Sequence, residues 1–406
     1  MYSVAVGDTF EIISRKKYGS ETGAVTIAAA NPGVFEPLTP GTSIIVPDAT
    51  ISSSLTKNGG ADDQNEVAIL IEGRRFRFWN SVRVTRSIDK MDTIEISAPF
   101  DHDEPLFREN FRPFSFAKIE VTVGGEALFS GTLVSVTPQL EPTTKTVTAG
   151  GYSLPGVLND CTPPASALPL EFDGQDLEAI AKKIAEPFGL GVQFDAPAGA
   201  VFERVACEAG KKSLMFLSDL ARERGLVISS TEQGKLLFRQ SAAAGVSVAK
   251  LEQGKSPLLS VTPSFNPQEY YSHITGIEPV IIGLEGAQYT VKNDRLSGVI
   301  RPLTFTVNDA EGGDTQAAVS AKMGRMFANM ASYSARVATW RDHTGELWQP
   351  NTTIKLAAPD AMIYNEYAFL IRSVSFERQS NSTIATLGLV LPGAFSGEIP
   401  EALPWD

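Results

Sequence analysis

The chain has little of what most enzyme chemistry and covalent bracing require. Two cysteines, Cys161 and Cys207, supply no disulfide framework. One disulfide stays open, and two free thiols in a reducing cytosol fit the count better. Three histidines, His102, His273 and His343, leave few ways to build a nucleophile–His pair or a multi-His zinc site. No HExxH, GxSxG, GxxxxGK[ST] or paired CxxC occurs. Cations are outnumbered, 35 Lys and Arg against 47 Asp and Glu, for a net charge of −12. Specific nucleic-acid binding is not expected without a basic stripe, and an acidic surface would let DNA pass without sticking. The longest apolar runs, such as Val67–Ile71, are about five residues against the ~20 of a bilayer span, so no membrane insertion is expected. Asp8 and Glu11 interrupt the start and no basic n-region precedes an apolar core, so a chain made and kept in the cytoplasm is expected.

What is present is ordinary globular material, 43% hydrophobic and 20% charged over 406 residues, enough for two or three domains. Residues 2–6 alternate as a short strand. Asp8, with Glu11 three positions on, has the pattern of a capping box opening a helix. Phe10, Ile13 and Tyr18 share one face of that helix, and Gly19 suits its end. A second short helix would turn Ala24, Ile27 and Ala28 inward and stop at Asn31-Pro32, and Ser43–Val46 returns as a strand. Residues 1–48 thus read as a small βααβ module. Residues 49–65, polar and Gly-bearing, read as a linker.

From Val67 the pattern is β. In Phe76 to Arg86, even positions Phe76, Phe78, Val82 and Val84 are apolar while Arg75, Arg77 and Arg83 face the other way, which predicts one half-buried strand. Ile94 and Ile96 continue the alternation. Ile119–Val123, Gly124-Gly125 and Glu126–Val136 predict a hairpin with a two-residue turn. Helices are expected over Asp173–Phe188 and Ser213–Arg224, closed by Gly189 and Gly225 and followed by Val192–Phe194 and Val227-Ile228. After Ala249 strands return, with one helix over Asp314–Ser332, strands at Ala335–Trp340, Thr353–Leu356, Tyr367–Phe376 and Ile384–Val390, and a turn at Arg378–Ser382. An irregular tail begins near Pro392. The expected class is α+β, mainly β. The expected domains are 66–162, an antiparallel β domain; 163–248, α+β; 249–397, a second β domain with one long helix; and 398–406, tail.

Candidates for chemistry are few. Asp101-His102-Asp103-Glu104 is the one dense polar cluster; it lacks the alternation and glycine of a calcium loop and reads as a solvated turn. His343 sits in a turn signal and reads as surface. A carboxylate pair for glycoside hydrolysis needs no fixed spacing, so that chemistry stays open. No catalytic, metal or cofactor residue is assigned.

Residues 2–47 resemble a LysM module, through Tyr2-Ser3-Val4, Gly7-Asp8-Thr9, Ile13, Tyr18-Gly19, Ile27, Asn31-Pro32-Gly33 and Leu38 through Pro40-Gly41 to Ile44-Ile45-Val46-Pro47. Members of that family often bind N-acetylglucosamine-containing glycans between two loops. The resemblance maps these onto Gly7, Asp8, Thr9 and Phe10, and onto Asn31, Pro32, Gly33 and Val34 within a loop reaching Phe35, as residues for glycan or partner contact. The same residues also serve as caps and turns, so they would be present without any ligand.

Residues 66 to about 397 resemble the baseplate hub proteins of contractile-tailed phages, the Mu-type hub and late-control D tail-protein group. The match is carried by Gly73-Arg74-Arg75-Phe76, Trp79-Asn80-Ser81-Val82, Thr85-Arg86-Ser87-Ile88, Gly150-Gly151-Tyr152-Ser153, Leu158-Asn159-Asp160-Cys161 and Phe188-Gly189-Leu190. It continues with Leu220 to Leu226, Gly345 to Asn351 and Leu389-Val390-Leu391-Pro392. Gly151-Tyr152 departs from members with a basic residue after the glycine. The resemblance implies two β-barrel-like domains per chain and a homotrimeric ring that adapts the six-fold tail tube to the three-fold spike. Implied partners are the tail spike, the tail tube and baseplate wedge or sheath-proximal proteins, in a virion tail assembled in the host cytoplasm, with DNA passing through the lumen. The LysM-like part would be an assembly clamp in a non-enzymatic structural protein. The alternative is a peptidoglycan-binding cell-wall protein or lysin targeted by that module.

Overall fold

Alternating apolar and polar residues build most of this protein, whose fold is α+β and mainly β. The computed structural model describes residues 2–18, 27, 31, 34, 37–46, 63–142, 144–242, 247–277, 288–307, 315–379, 382–393, 395 and 402–406. The expected second short helix (apart from Ile27), Gly19, Pro32, Gly33, Phe35, most of the 49–65 linker, the tip of the Arg378–Ser382 turn and residues 398–401 of the expected tail lie outside them. The chain forms two compact units, Met1–Val82 with Glu95–Gly151, and Arg83–Ile94 with Tyr152–Asp406.

In the first unit, β1 (Tyr2–Ser3) pairs antiparallel with β2 (Ser43–Ile44), and α1 (Phe10–Tyr18) lies between them in sequence. Val4, Phe10, Ile13, Ile27, Leu38 and Ile44 form one small core, as the apolar spacing predicts. The expected cap is displaced by one residue. Thr9 Oγ1, not Asp8, accepts the Ile12 N–H at 3.2 Å.

The larger sheet uses β3 (Val67–Ile71), β4 (Arg74–Phe76), β5 (Ser81–Ser87), β6 (Thr93–Pro99), α2 (Pro105–Asn110), β7 (Lys118–Val123), β8 (Glu126–Leu140) and β9 (Lys145–Ser153). Its order in the first unit is β6–β9–β8–β7–β3–β4, and β4 ends it. The single strand expected from Phe76 to Arg86 is two, broken over 77–80. Aromatic packing explains the break. Phe76 meets Phe78, Phe107 and Phe111 edge-on at 5.5–6.1 Å, which draws the chain out of the ladder. The β7–β8 hairpin turns through Gly124 (φ 59°) and Gly125 (φ 87°), as expected, and a Cβ on Gly124 would overlap the Gln64 carbonyl.

The chain passes between the units within β5, β6 and β9. The second unit continues with α3 (Val157–Asp160), α4 (Leu177–Ala185), β10 (Val192–Phe194), α5 (Ser213–Glu223), β11 (Val227–Ser230) and β12 (Leu236–Arg239). β12 is central, parallel to β10 and antiparallel to β11. Under this sheet Leu177, Ile180, Ala181 and Ile184 of α4 meet Leu217, Leu220 and Ala221 of α5, as the two stripes predict. The first helix starts four residues later than expected. Asp176 accepts the Ala179 N–H at 2.8 Å and caps it, while just before it the Phe202 N–H donates to the Gln175 carbonyl and the Gly174 N–H to the Phe202 carbonyl in a β-bridge.

Then come β13 (Ala249–Glu252), β14 (Leu258–Phe265), β15 (His273–Ile277), β16 (Gln288–Lys292), β17 (Pro302–Thr306), α6 (Thr315–Met330), β18 (Ala331–Val337), β19 (Thr353–Ala358), β20 (Ile363–Gln379) and β21 (Ser382–Val390). The order is β14–β18–β21–β20, with β19 on β20 and β13 on β19. The expected long helix stops at Met330 because Ala331 already pairs with Phe265 in the ladder. The described end of the chain, 402–406, is irregular but anchored: Leu403 is buried, the Pro404 carbonyl accepts the Tyr364 N–H, and Asp406 pairs with Arg295 at 2.8 Å.

Candidate functional site

The first candidate is the loop pair of the N-terminal segment. Asp8 is buried there, and its carboxylate accepts from Tyr2 Oη and the Ala5 N–H at 2.8 Å and from Lys16 Nζ at 2.9 Å. Burial works against that charge, yet these three donors hold the carboxyl below its ordinary range. Asn31 is equally engaged. Its Nδ2 donates to the carbonyls of Ile27 and Ile45, and its Oδ1 accepts the Ile45 N–H, all at 2.7 Å. Of the eight residues singled out here, Asp8 and Asn31 therefore spend their polar atoms inside the fold. Phe10 is in the core, Val34 is half-buried, Gly7 is exposed and Thr9 is partly exposed. Pro32 and Gly33 lie outside the described residues. Val6, which the sequence reading passed over, is 90% exposed beside Gly7.

A buried charge cluster is the second candidate. Arg86 and Asp92 are almost fully buried and 3.3 Å apart. The Arg86 guanidinium also reaches Glu232 at 2.6 Å and Gln349 at 2.8 Å. Asp92 accepts the Ser87 N–H at 3.1 Å, and its own N–H donates to Ser230 Oγ. Burial pushes the Asp92 carboxyl up to about 6, against the pull of Arg86 and these donors. One guanidinium thus joins β5 to the α+β region and to the loop before β19. The signal for it was in the alternation, which put Arg86 on the same face as Phe76, Val82 and Val84.

A hollow of about 730 Å³ in the second unit is lined by Lys250, Lys355, Arg341, His343 and Trp348 among others. Glu366 sits between the two lysines at 2.5 and 2.8 Å, which holds its carboxyl down at about 2. Asp342 accepts from the Thr344 N–H and hydroxyl and the Glu346 N–H, so the His343 segment is a hydrogen-bonded turn. Among the described residues, Asp101, His102 and Asp103 are the one trio able to converge on a metal ion; all three are exposed, and the Asp101 carboxylate accepts the Asp103 N–H in an ordinary turn. Cys161 and Cys207 are free thiols. Ser272 Oγ and His273 Nδ1 lie 2.9 Å apart at β15; the Ser272 side chain is buried and also accepts the Arg301 N–H at 2.8 Å, which ties the pair into the β15–β17 region.

Residues 155–240 match the family model described as baseplate hub protein gp44-like, second domain. Over 310 residues the chain is 24% identical to the baseplate hub protein gp44 of Escherichia phage Mu, covering 72% of this chain and 79% of that one. This chain is similar to phage baseplate hub proteins. The same fold occurs in the 43 kDa tail protein of prophage MuSo2 from Shewanella oneidensis, with TM-score 0.69, 22% identity, and 81% of this chain against 99% of that one. It occurs again in a tail protein from Neisseria meningitidis, with TM-score 0.69, 18% identity, and 82% against 98%. The family match covers the α+β region that α4, α5 and the β10–β12–β11 sheet build in this chain.

Proposed function

We propose that this chain is the structural hub of a contractile tail baseplate, in a phage virion or a phage-derived injection machine. Three copies would form a ring of β-barrel-like domains, adapting a six-fold tube to a three-fold spike. The observation that carries the reading is the joint match to hub and tail proteins over 72–82% of the chain, including the gp44-like segment at 155–240. Sheet ends at β4 and β14 support assembly, because an open edge needs cover from another chain. Partners are then the spike, the tube and surrounding baseplate proteins. Co-expression with the spike and tube proteins of the same genome, followed by native mass spectrometry, tests this. A complex with three copies per spike trimer is expected. A monomer without affinity for either protein, or muralytic activity of the chain, overturns it.

The N-terminal 1–48 segment is a LysM-like assembly clamp in this reading. Its support is the internal use of Asp8 and Asn31, which leaves few polar groups at the two loops for a sugar. Retention of the full chain on purified peptidoglycan would favour the wall-binding alternative; passage through unretained favours the clamp.

A further inference from the structure

Three independent features meet at one place in the first unit. Phe114 and Phe116 are 90% and 58% exposed, and both hold left-handed backbone, φ 60° and 50°. Bulky side chains take that conformation only where the surrounding fold enforces it, and doing so to display two aromatic rings to solvent is unfavourable twice over. Beside them, Arg108, Arg112 and Lys118 are exposed and make no ion pair among the described residues, in a chain whose net charge is −12. The same turn packs through Phe111 on Phe76 of β4, the strand at which the first unit's ladder ends.

The second unit offers the complement. Its ladder ends at β14, whose Leu259 is 55% exposed. Below this edge lies a hollow of about 290 Å³, walled by Leu258, Leu259, Val261 and Ala361, with Asp360 at the rim. The Asp360 carboxylate accepts from Gln253 and has no cation partner among the described residues. The hollow is large enough for a phenyl ring, and its wall mixes these apolar side chains with Gln253, Ser260 and the anionic Asp360; the turn is aromatic at its tip and cationic at its base.

We propose that the Arg112–Phe116 turn of one copy docks on the β14 edge of a second copy, with Phe114 in the hollow and Arg112 facing Asp360. The contact is head-to-tail, so repetition closes a ring when the rotation between copies divides a full turn, and a central aromatic anchor with a charged rim is the usual energetic layout of such a surface. It rests on the self-assembling hub reading above and names the surface that reading leaves unspecified.

The test uses full-length chains in sedimentation equilibrium. Phe114→Asp is expected to weaken self-association on the order of 30-fold or more, the loss of one anchor residue, with the circular dichroism and melting of the wild type. Arg112→Glu is expected to weaken it less, and to regain affinity when combined with Asp360→Arg in the same chain. Mixing a Ser115→Cys chain with a Leu259→Cys chain, then adding a short bismaleimide, is expected to give cross-linked pairs that neither chain gives alone. If the wild type assembles but Phe114→Asp assembles equally well and no mixed cross-link forms, this surface is wrong and the hub reading stands. A wild type monomeric at every concentration overturns both. Phe114-dependent binding to phosphatidylglycerol vesicles without self-association assigns the turn to a membrane and overturns the proposal.

Discussion

Arg86→Leu is the substitution whose outcome the structure specifies most fully. It removes the cation from a pocket in which Asp92 and Arg86 are both almost wholly buried and leaves Glu232 and Gln349 without their shared donor. Breaking a buried pair by deleting one partner costs about 3–5 kcal/mol, because the remaining charge is stranded. The pH dependence has a definite sign. The Asp92 carboxyl lies at about 6, above its ordinary 3.8, so the folded protein holds a proton that the unfolded chain releases. For such a group stability rises as pH falls from about 6 towards 4, and the cost of carrying the charge, about 3 kcal/mol, is present in full above 6. The wild type bears that cost too; removing Arg86 takes away the pull that lowers the Asp92 carboxyl, so at pH 8 the variant carries a further cost on top of it. At pH 5 Asp92 is largely neutral in both proteins, and the difference between them shrinks to roughly half, the loss of the Glu232 and Gln349 contacts. Urea unfolding followed by tryptophan fluorescence suits this test, since Trp340 and Trp348 are buried in the same unit. Taking wild type minus variant at each pH cancels the other carboxylates. A penalty below about 1 kcal/mol at pH 8, or one identical at pH 5 and pH 8, would refute the argument.

Further substitutions probe other parts of the fold. Asp8→Ala removes three hydrogen bonds from the N-terminal loop, so hydrogen exchange at the Ala5 amide is expected to accelerate, with a loss of about 1–3 kcal/mol. Because the folded Asp8 carboxyl lies below its ordinary range, its contribution is present above the unfolded value and lost as pH falls through the folded one. The wild-type Ala5 amide should therefore lose protection in acid, and an acid-insensitive amide would count against the Asp8 hydrogen bonds as its protection. Gly388→Ala would drive a methyl into the Ser373 hydroxyl; about 1–3 kcal/mol is expected, largely restored by adding Ser373→Ala, as thermal melts would show. Trp348→Ala should cost about 3–5 kcal/mol, since this fully buried side chain also donates from Nε1 to the Thr339 carbonyl at 3.0 Å.

Periodicity carried most of the fold. The α4 and α5 stripes, the Gly124-Gly125 hairpin and the strands after Ala331 are set by local patterns that tertiary contacts reinforce. Misplaced boundaries trace to contacts from elsewhere in the chain. The ring cluster around Phe76 split one expected strand, pairing of Gln175 with Phe202 delayed a helix, and Ala331 left its helix for a ladder. Asp8 has a capping signature but turns inward, because Tyr2, Ala5 and Lys16 together offer it more than a helix end would. The Arg86 cluster joins residues up to 263 positions apart, so only the wrong-faced arginine hinted at it. The exposed Phe114 and Phe116 were invisible for a different reason: an apolar residue in sequence gives no sign that the backbone will hold it outward.

The central claim is that this chain is the hub joining tube to spike. Electron cryo-microscopy of tail particles purified from the producing cells tests it most directly. Density for this fold is expected in three copies, between the last ring of the tube and the head of the spike. Particles that lack the chain, or that carry it away from the tube end, would contradict the claim.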